Sequence, residues 1–234
     1  MPDFSSRSYQ KELLDRDDIP FADIKRNMQE LDIINTLLGG HAITIAGLKK
    51  FYTELRKGPA IICEIGCGGG DNLKAIYNWC NKKNIPVKLI GIDINADCIS
   101  YAKENCSAVP GIEFIISDYR LVQLDKEKPF VIFSSLFTHH LNDEQFAEML
   151  QWSAENSVAG FFINDLHRHF LAYYAIKLLT TVFSKSYLVK NDAPLSVLRG
   201  FRKKEIKEMM GKSVIKNYTI EWKWAFRWLI TVKH

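Results

Sequence analysis

The sequence lacks the features that would place it in several specialised classes of protein. Its five cysteines are odd in number and form no C-x-x-C pair, so neither a disulfide framework nor a thiolate metal site is indicated. No secretory n-region and h-region opens the chain, and a reduced, cytoplasmic protein is therefore expected. The longest apolar stretch, residues 170–183, contains a lysine and is shorter than the roughly 20 residues of a membrane-spanning helix. No membrane span is predicted.

A strong excess of charge of one sign is also missing. The formal net charge is +4, and no run of lysine or arginine stands out, so nucleic-acid binding is not indicated. There is no internal repeat and no low-complexity linker. What is present is the composition of an ordinary globular protein, 47% hydrophobic and 25% charged. The 234 residues suffice for one α/β domain with a large core and a small cap.

The most informative stretch is rich in glycine. Residues 61–71 read IICEIGCGGGD, a short β-branched run that breaks into glycines. A helical pattern follows, with apolar residues three or four positions apart at Leu73, Ile76, Tyr77 and Cys80. This order predicts a strand, a tight turn and the start of a helix. In open α/β sheets a nucleotide-like ligand binds at that place, outside the carboxyl end of a strand.

The spacing of the glycines and one acid indicates which ligand binds. A dinucleotide fingerprint, G-x-G-x-x-G, needs a third glycine where this chain has Asp71. The pattern present is Glu64-x-Gly66-x-Gly68-x-Gly70. A carboxylate at the end of the strand suits a ligand with an ammonium group and would repel a pyrophosphate. The motif resembles that of the class I methyltransferases dependent on S-adenosylmethionine (SAM). A glycine-rich turn without a ligand is the alternative.

Two further acids follow later apolar runs. Asp93 lies about twenty residues beyond the glycine turn, where a carboxylate can accept hydrogen bonds from both ribose hydroxyls. Ile94 would cover one face of the adenine. In the family, the position of Asp118 accepts from the adenine amine, and the main chain of Tyr119 donates to a ring nitrogen. Three strands that each end in an acid favour SAM as the cofactor.

The resemblance implies a Rossmann-like α/β fold. It predicts a seven-stranded, mostly parallel sheet with an antiparallel last strand, helices on both faces and an N-terminal helical cap. The methyltransferase domain would span residues 58–234, and residues 1–57 would form an arm and the cap. An insertion at about 166–202 is expected to build a lid over the acceptor.

The remaining elements are read from periodicity. The polar residues 1–20 are expected to be a loosely held arm, and cap helices are predicted at 23–38 and 44–55. The cap either closes the substrate pocket or only covers the sheet. The insertion would contain a helix at 170–183 and a polar loop at 184–200. The last predicted elements are a helix at 203–210 and strands at 214–222 and 224–232.

Cofactor contacts are expected at the ends of the first four strands and in the turns that follow them. The expected residues are Glu64, Gly66, Cys67, Gly68, Gly70, Asn72, Asp93, Ile94, Asp118, Tyr119, Ser134 and Ser135. After the fourth strand, residues 139–141 read His-His-Leu. This is similar to the ubiquinone- and menaquinone-pathway methyltransferases and to relatives that act on polyketide-type small molecules.

Four of the six histidines lie just past strands four and five. Methyl transfer from a sulfonium to a hydroxyl needs alignment and loss of the hydroxyl proton. An unperturbed imidazole titrates near 6.5, which makes histidine a suitable base at neutral pH. The candidates are His139, His140, His167 and His169, of which His140 and His167 are preferred. Each one alone could instead be structural.

The same region has two alternative uses. The histidines could bind a metal together with Asp165 or Asp192, but metal-dependent catechol methyltransferases use carboxylates around strand four, where this chain has serines. No metal is therefore expected. Arg168 and Arg199 could pair with an acceptor carboxylate or form structural salt bridges.

The function predicted first is methylation of a hydroxyl on a small aromatic, quinone-like or polyketide-type acceptor. An RNA or protein methyltransferase is the alternative, although no appended binding domain and no Asn-Pro-Pro-Tyr-like motif is present. A nonenzymatic SAM-binding regulator is a third possibility. The oligomeric state and the acceptor do not follow from the sequence.

Overall fold

Seven strands form a single sheet in this computed structural model, which describes residues 2–16, 18–55, 58–124, 127–213 and 215–234. The strands are β1 (Ala60–Ile65), β2 (Val87–Asp93), β3 (Ile112–Ile116), β4 (Val131–Ser135), β5 (Gly160–Leu166), β6 (Tyr218–Lys223) and β7 (Arg227–Lys233). Their order is β3-β2-β1-β4-β5-β7-β6, and β7 alone runs antiparallel to its neighbours. The predicted sheet is confirmed. Val214, the predicted first residue of the sixth strand, lies outside the described residues.

Helices cover both faces of this sheet. They are α1 (Phe21–Leu37), α2 (Gly40–Lys49), α3 (Tyr52–Leu55), α4 (Asp71–Asn81), α5 (Ala96–Asn105), α6 (Asp143–Asn156), α7 (Phe170–Phe183), α8 (Tyr187–Arg199) and α9 (Lys203–Lys212). One apolar cluster packs α2, α4 and α5 on the sheet, and a second packs α6 and α9 on its other face. Among the described residues no single helix is long and apolar enough to cross a bilayer, and only α1 with α2, bent by 67°, reach that length and composition together.

Local sequence signals place the helix starts next to the strand ends. The side chain of Asn95 accepts from the first backbone N–H groups of α5, and Asn142 with Gln145 forms a reciprocal capping box at the start of α6. Both caps use asparagine, one of the residues that most favour this position. They fix the chain directly after β2 and after the turn that follows β4, where the candidate site lies.

The polar loop predicted at 184–200 is wrong, because these residues form α8. Asn191-Asp192-Ala193-Pro194 has the composition of a turn, yet Pro194 lies inside the helix. Ser186 caps the helix start, and the buried side chains of Leu188 and Val189 hold it against the rest of the fold. Tertiary burial therefore outweighs the local preference for a turn.

The expectation of a loosely held arm is also wrong for the part of the arm that the structure describes. Arg7 is buried, and its guanidinium donates to the carbonyl oxygens of Arg199 and Leu141 at 3.0 and 2.8 Å. Arg168, also buried, donates to the carbonyl of Phe4 at 3.1 Å. A charged group that is buried must find hydrogen-bond partners. The hydrogen bonds of these two arginines hold the arm to α8 and to the chain just after β5.

Candidate active site

A cavity of about 880 Å³ lies at the carboxyl ends of the central strands. The glycine turn after β1 forms its floor, and α1 contributes Met28 and Ile34. On the far side α7 contributes Ile176 and Leu179, and the arm contributes Glu12. The cap therefore does more than cover the sheet. Together with α7 and α8, which belong to the insertion at about 166–202, it forms walls of the cavity; a lid function of this insertion stays a prediction.

The glycine turn brings bare backbone into this cavity. Gly66 has φ 68°, and a Cβ at this position would meet the ring of Phe137 at 2.3 Å. Gly68 has φ 48°, and its N–H donates to Asp93 Oδ2 at 2.9 Å. Such φ values favour glycine. Gly70 directly precedes α4. The buried Cys67, between Gly66 and Gly68, lines the cavity.

Carboxylates without a cationic partner surround the turn. Glu64 is fully buried; its Oε1 accepts from Asn72 at 3.1 Å, and its Oε2 has no hydrogen-bond partner. Asp71 Oδ1 also lacks one. Burial raises the pKa of Glu64 well above its usual range, and the neighbouring Asp71 raises it further. Within the described part of the chain, neither acid pairs with a lysine or arginine. The site therefore suits a ligand with a positive group.

A hydrogen-bond chain from the cap supports Glu64, and no pattern in the sequence indicates this chain. His41, at the start of α2, lies 3.0 Å from Asn72 Oδ1 through Nδ1 and 2.9 Å from Asp32 Oδ1 through Nε2. Thr44 donates to the same Asn72 oxygen at 3.0 Å. Asn72 in turn donates to Glu64. The orientation of Glu64 is therefore set by residues of α1 and α2.

Asp93 lies between the main cavity and a second one of about 260 Å³. Its two oxygens accept from the N–H groups of Gly68 and Asn95, both at 2.9 Å. Since a carboxylate can accept about four hydrogen bonds, capacity for two hydroxyls remains. Ile94, Asp118 and Tyr119 line the second cavity, as expected for an adenine site.

Asp118, the expected acceptor for the adenine amine, already accepts hydrogen bonds from a neighbouring residue. Arg120 donates to it through the backbone N–H and through Nε, each at 3.0 Å. The pKa of Asp118 is lowered by this arginine.

The two serines at the end of β4 differ from each other. Ser135 lines the main cavity and accepts from Asn164 at 3.2 Å, whereas Ser134 does not line it, and its buried hydroxyl has no partner.

His139 lines the cavity but is held in its charged form. Its Nδ1 lies 2.7 Å from Asp165 Oδ1, and its Nε2 lies 3.6 Å from Glu12 Oε1. Burial alone would lower the pKa of His139, but Asp165 and Glu12 raise it to about 9. At neutral pH the ring already carries the proton, so it cannot act as a base.

His140 is more exposed to the cavity than His139. Its Nε2 lies 3.7 Å from Glu12 Oε2, and its Nδ1 lies 3.4 Å from Asp15 Oδ1. Both carboxylates come from the arm, and Glu12 is only 5% exposed. The sequence did not predict this contribution because the arm is far from residue 140 along the chain.

His167 and His169 do not line either cavity, so the geometry corrects their inclusion among the candidate bases. His167 packs on Trp228, with ring centroids 4.8 Å apart, and its Nδ1 is buried without a partner. His169 accepts from Leu171 N–H at the start of α7 and stacks on Phe226. Both follow β5, but the chain there turns toward β7 rather than toward the cavity.

Of the two roles predicted for Arg168 and Arg199, the structure shows the structural one. Arg199 donates to the backbone carbonyls of His139 and His140 at 3.2 and 3.0 Å, and Arg168 donates to the carbonyl of Phe4 in the arm. Arg227, which the sequence did not single out, lines the cavity at 4% exposure. Its Nη2 donates to Asn35 at 2.9 Å, and its Nη1 has no partner among the described residues. Burial lowers its pKa to about 10.

Two groups of described residues place histidine and carboxylate atoms within 4.8 Å of one another. They are Glu12 with His139 and His140, and Asp32 and Asp71 with His41. In the first group His139 carries a proton at neutral pH, and Arg199 lies 4.0 Å from Glu12. Positive charge is therefore already present there. Metal independence stays a prediction.

Residues 62–156 match a family model described as methyltransferase domain. This part of the chain is therefore a methyltransferase domain, and the chain has the fold of the class I methyltransferases that use SAM. A comparison with curated proteins finds no match.

Solved structures similar to this methyltransferase agree in fold. Magnesium protoporphyrin IX methyltransferase from Synechocystis, with bound SAM, has a TM-score of 0.56 over 84% of this chain and 80% of its own, at 11% identity. The plantazolicin methyltransferase BpumL, in complex with S-adenosylhomocysteine (SAH), has 0.59 over 87% and 73%, at 19% identity. A SAM dependent methyltransferase from Aquifex aeolicus has 0.60 over 92% and 98%, at 15% identity.

The residues of the methyltransferase domain fit SAM. The unpartnered oxygens of Glu64 and Asp71 would receive the ammonium group, and Gly68 leaves open space, because a Cβ added there would have only Met28 Sδ nearby, at 3.6 Å. Asp93 has acceptor capacity for the ribose, and the second cavity has the position expected for adenine. When bound, SAM supplies an activated methyl group.

One prediction concerns His167 and stability. Burial lowers the pKa of His167 to about 4 from an ordinary 6.5, and His169 lowers it further. Between these values the unfolded chain binds more protons than the folded methyltransferase. The contribution of the neutral ring is therefore complete above pH 6.5 and is lost as the pH falls toward 4. As the pH falls over this range, we expect the free energy of unfolding, measured with urea, to decrease more for wild type than for His167→Phe. Equal slopes would contradict the prediction.

Proposed function

We propose that this domain methylates a hydroxyl group of a small aromatic, quinone-like or polyketide-type acceptor. The observation that carries the proposal is that one cavity is lined both by His140 and by a buried arginine, Arg227, whose Nη1 has no hydrogen-bond partner among the described residues. A base and a fixed cation are what a weakly acidic hydroxyl needs to become a nucleophile. The apolar walls from α1 and α7 suit a ring or an alkyl chain.

The residues divide the work of the reaction. His140 removes the hydroxyl proton, and Glu12 and Asp15 orient its ring and balance the charge that it gains. Arg227 donates through Nη1 to the developing oxyanion. SAM, held by Glu64, Asp71 and Asp93, would supply the methyl group and its own sulfur as the leaving group, and the proton of the acceptor hydroxyl would stay on His140. His139 stays protonated beside Asp165 and holds the turn after β4 in place.

The walls of the cavity also favour a small acceptor over RNA or a folded protein. The arm is pinned by Arg7 and Arg168, and α7 and α8 close the side opposite the cap. A macromolecular chain would have to displace these elements, whereas a small molecule of one or two rings fits a volume of about 880 Å³.

The test is an acceptor screen with purified protein and SAM. Phenols, hydroxyquinones and alkylated resorcinols are incubated in parallel, and formation of SAH and of the methylated product is followed by mass spectrometry. We expect turnover of at least one hydroxylated aromatic, unchanged by a metal chelator. Methylation of RNA or of a protein by this enzyme, with no turnover of any small hydroxyl compound, would refute the proposal.

Arg227→Met provides a prediction about the acceptor. Losing a hydrogen bond from a charged donor is worth about 1.5–3 kcal/mol, so kcat/KM for the acceptor is expected to fall by roughly 10- to 150-fold. The shift in Tm caused by SAH should stay close to that of wild type, since Arg227 is not among the expected cofactor contacts. Arg202→Met, at an exposed position, is the matched control. Full kcat/KM in Arg227→Met would exclude a role for this guanidinium.

A further inference from the structure

Helix α7 presents apolar side chains to solvent along its whole outer face. Leu171, Tyr174, Leu178 and Val182 follow one another at helical spacing and are 52%, 49%, 68% and 62% exposed. The opposite face, with Ile176 and Leu179, lines the cavity. A helix that is apolar all round normally has both faces buried. Here Phe4 of the arm contacts Tyr174, with ring centroids 6.5 Å apart, but Leu171, Leu178 and Val182 remain more than half exposed in the described structure.

This exposed face continues into an aromatic surface around β6 and β7. Phe170, at the start of α7, stacks on His169 with ring centroids 4.8 Å apart, and His169 stacks on Phe226. Phe226 in turn contacts Trp222 and Trp224. Trp224 is 66% exposed and also lines the cavity. The apolar surface therefore reaches the cavity, and contiguous surfaces of this kind mark protein or membrane contacts.

The charges around this surface decide between possible occupants. No aspartate or glutamate occurs between Asp165 and Asp192, while Lys177, Lys185 and Lys190 are exposed in that interval. Lysines beside an apolar surface are attracted by the anionic phospholipids of a bilayer. If two copies of the chain met through α7, they would bring the same lysines together. Tryptophan and tyrosine at the edge of the surface are the residues enriched at membrane interfaces.

The length of α7 fits a helix that lies on a bilayer and does not span it. Its 14 residues correspond to about 21 Å, less than the hydrocarbon thickness of about 30 Å. In the plane of the interface, the outer face would enter the acyl region, and the lysines would stay among the headgroups.

We propose that α7 with Trp222 and Trp224 forms a docking face for a bilayer that contains anionic phospholipid. Through this face the cavity receives an amphipathic acceptor whose apolar part resides in the membrane. Binding to the bilayer does not depend on the chemistry of methyl transfer; only the origin of the acceptor rests on the proposed function.

Vesicle sedimentation tests the docking face on the full chain. Vesicles of phosphatidylcholine alone are compared with vesicles containing about a third phosphatidylglycerol, with and without SAH. We expect binding to the anionic vesicles, weakened at least tenfold in Leu178→Glu/Val182→Glu. Both positions are exposed, so the variant should keep its Tm and its response to SAH. Leu121→Glu/Val158→Glu, with two exposed apolar residues elsewhere on the surface, is the matched control and should bind like wild type.

Other outcomes overturn the proposal. Wild type that stays in solution with both vesicles excludes a membrane role, and equal binding of the α7 variant shows that another surface is responsible. Equal binding to vesicles with and without phosphatidylglycerol would show that the lysines do not select an anionic bilayer, which contradicts the proposal. If light scattering shows a dimer that Leu178→Glu/Val182→Glu dissociates, the occupant of the face is a second copy. None of these readouts uses turnover, so failure here is distinguishable from failure of the proposed reaction.

Discussion

Replacing Asp93 with alanine is expected to abolish most of the stabilisation that SAH gives to the protein. For wild type, SAH at about a hundred times its Kd adds roughly 2.7 kcal/mol to the free energy of unfolding. For a chain of this size that corresponds to a rise in Tm on the order of 5–10 °C. Each ribose hydroxyl that loses a charged acceptor costs about 1.5–3 kcal/mol. The Kd of Asp93→Ala should therefore rise by at least about a hundredfold, and the shift should nearly vanish.

Asp93 also accepts two backbone N–H groups, so a second variant separates binding from structure. Asp93→Asn keeps the shape and one acceptor oxygen, and we expect a partial shift with a fold close to that of wild type by circular dichroism. Glu113→Ala, an exposed acid on β3, is the control and should respond fully to SAH. A full SAH shift in Asp93→Ala would mean that the ribose binds elsewhere.

His140→Gln is expected to lower kcat by about 10²- to 10⁴-fold, the usual contribution of a general base. Glutamine retains a polar side chain between Glu12 and Asp15 but cannot take a proton from the acceptor. Initial rates with the best phenol from the screen, at saturating SAM, measure the effect. Because the loss lies in proton removal, raising the pH should recover part of the rate as more of the acceptor ionises in solution.

The control for this variant is His234→Gln, since His234 lies away from both cavities and contacts Ser157. It should retain the wild-type rate. Both variants should give the wild-type SAH shift, which shows that the cofactor half is intact. A His140→Gln enzyme with the wild-type rate at neutral pH would assign the base elsewhere or show that the acceptor arrives already ionised.

The cofactor half of the site could be read from the sequence because it is local. Glu64, Asp93 and Asp118 each follow a short apolar run, and parallel strands bring their carboxyl ends to one edge of the sheet. The glycines are recognisable in the sequence because the turn requires positive φ angles, which glycine adopts readily. Chain order alone therefore places these groups together.

The acceptor half could not be read in the same way, because it is assembled from distant parts of the chain. Glu12 meets His139 from the arm, and Arg227 arrives from the start of β7. No periodicity in either stretch indicates such a meeting. His167 shows the opposite error: it follows a strand as His140 does, but the bridge from its backbone to Phe201 directs the chain away from the cavity. The helix α8 was missed because its proline and aspartate suggest a turn, while burial decides its structure.

The docked arm has a consequence for the order of events during synthesis. The contact between Arg7 and Arg199 closes a loop of 192 positions, so the docking surface of the arm is incomplete until α8 has left the ribosome. At 5–20 residues per second, this delay is roughly 10–40 s. The acids expected to contact the donor, up to Asp118, are all synthesised before α8 and before Arg227 at the start of β7. The acceptor side of the cavity is therefore the last part of the site for which the chain becomes available.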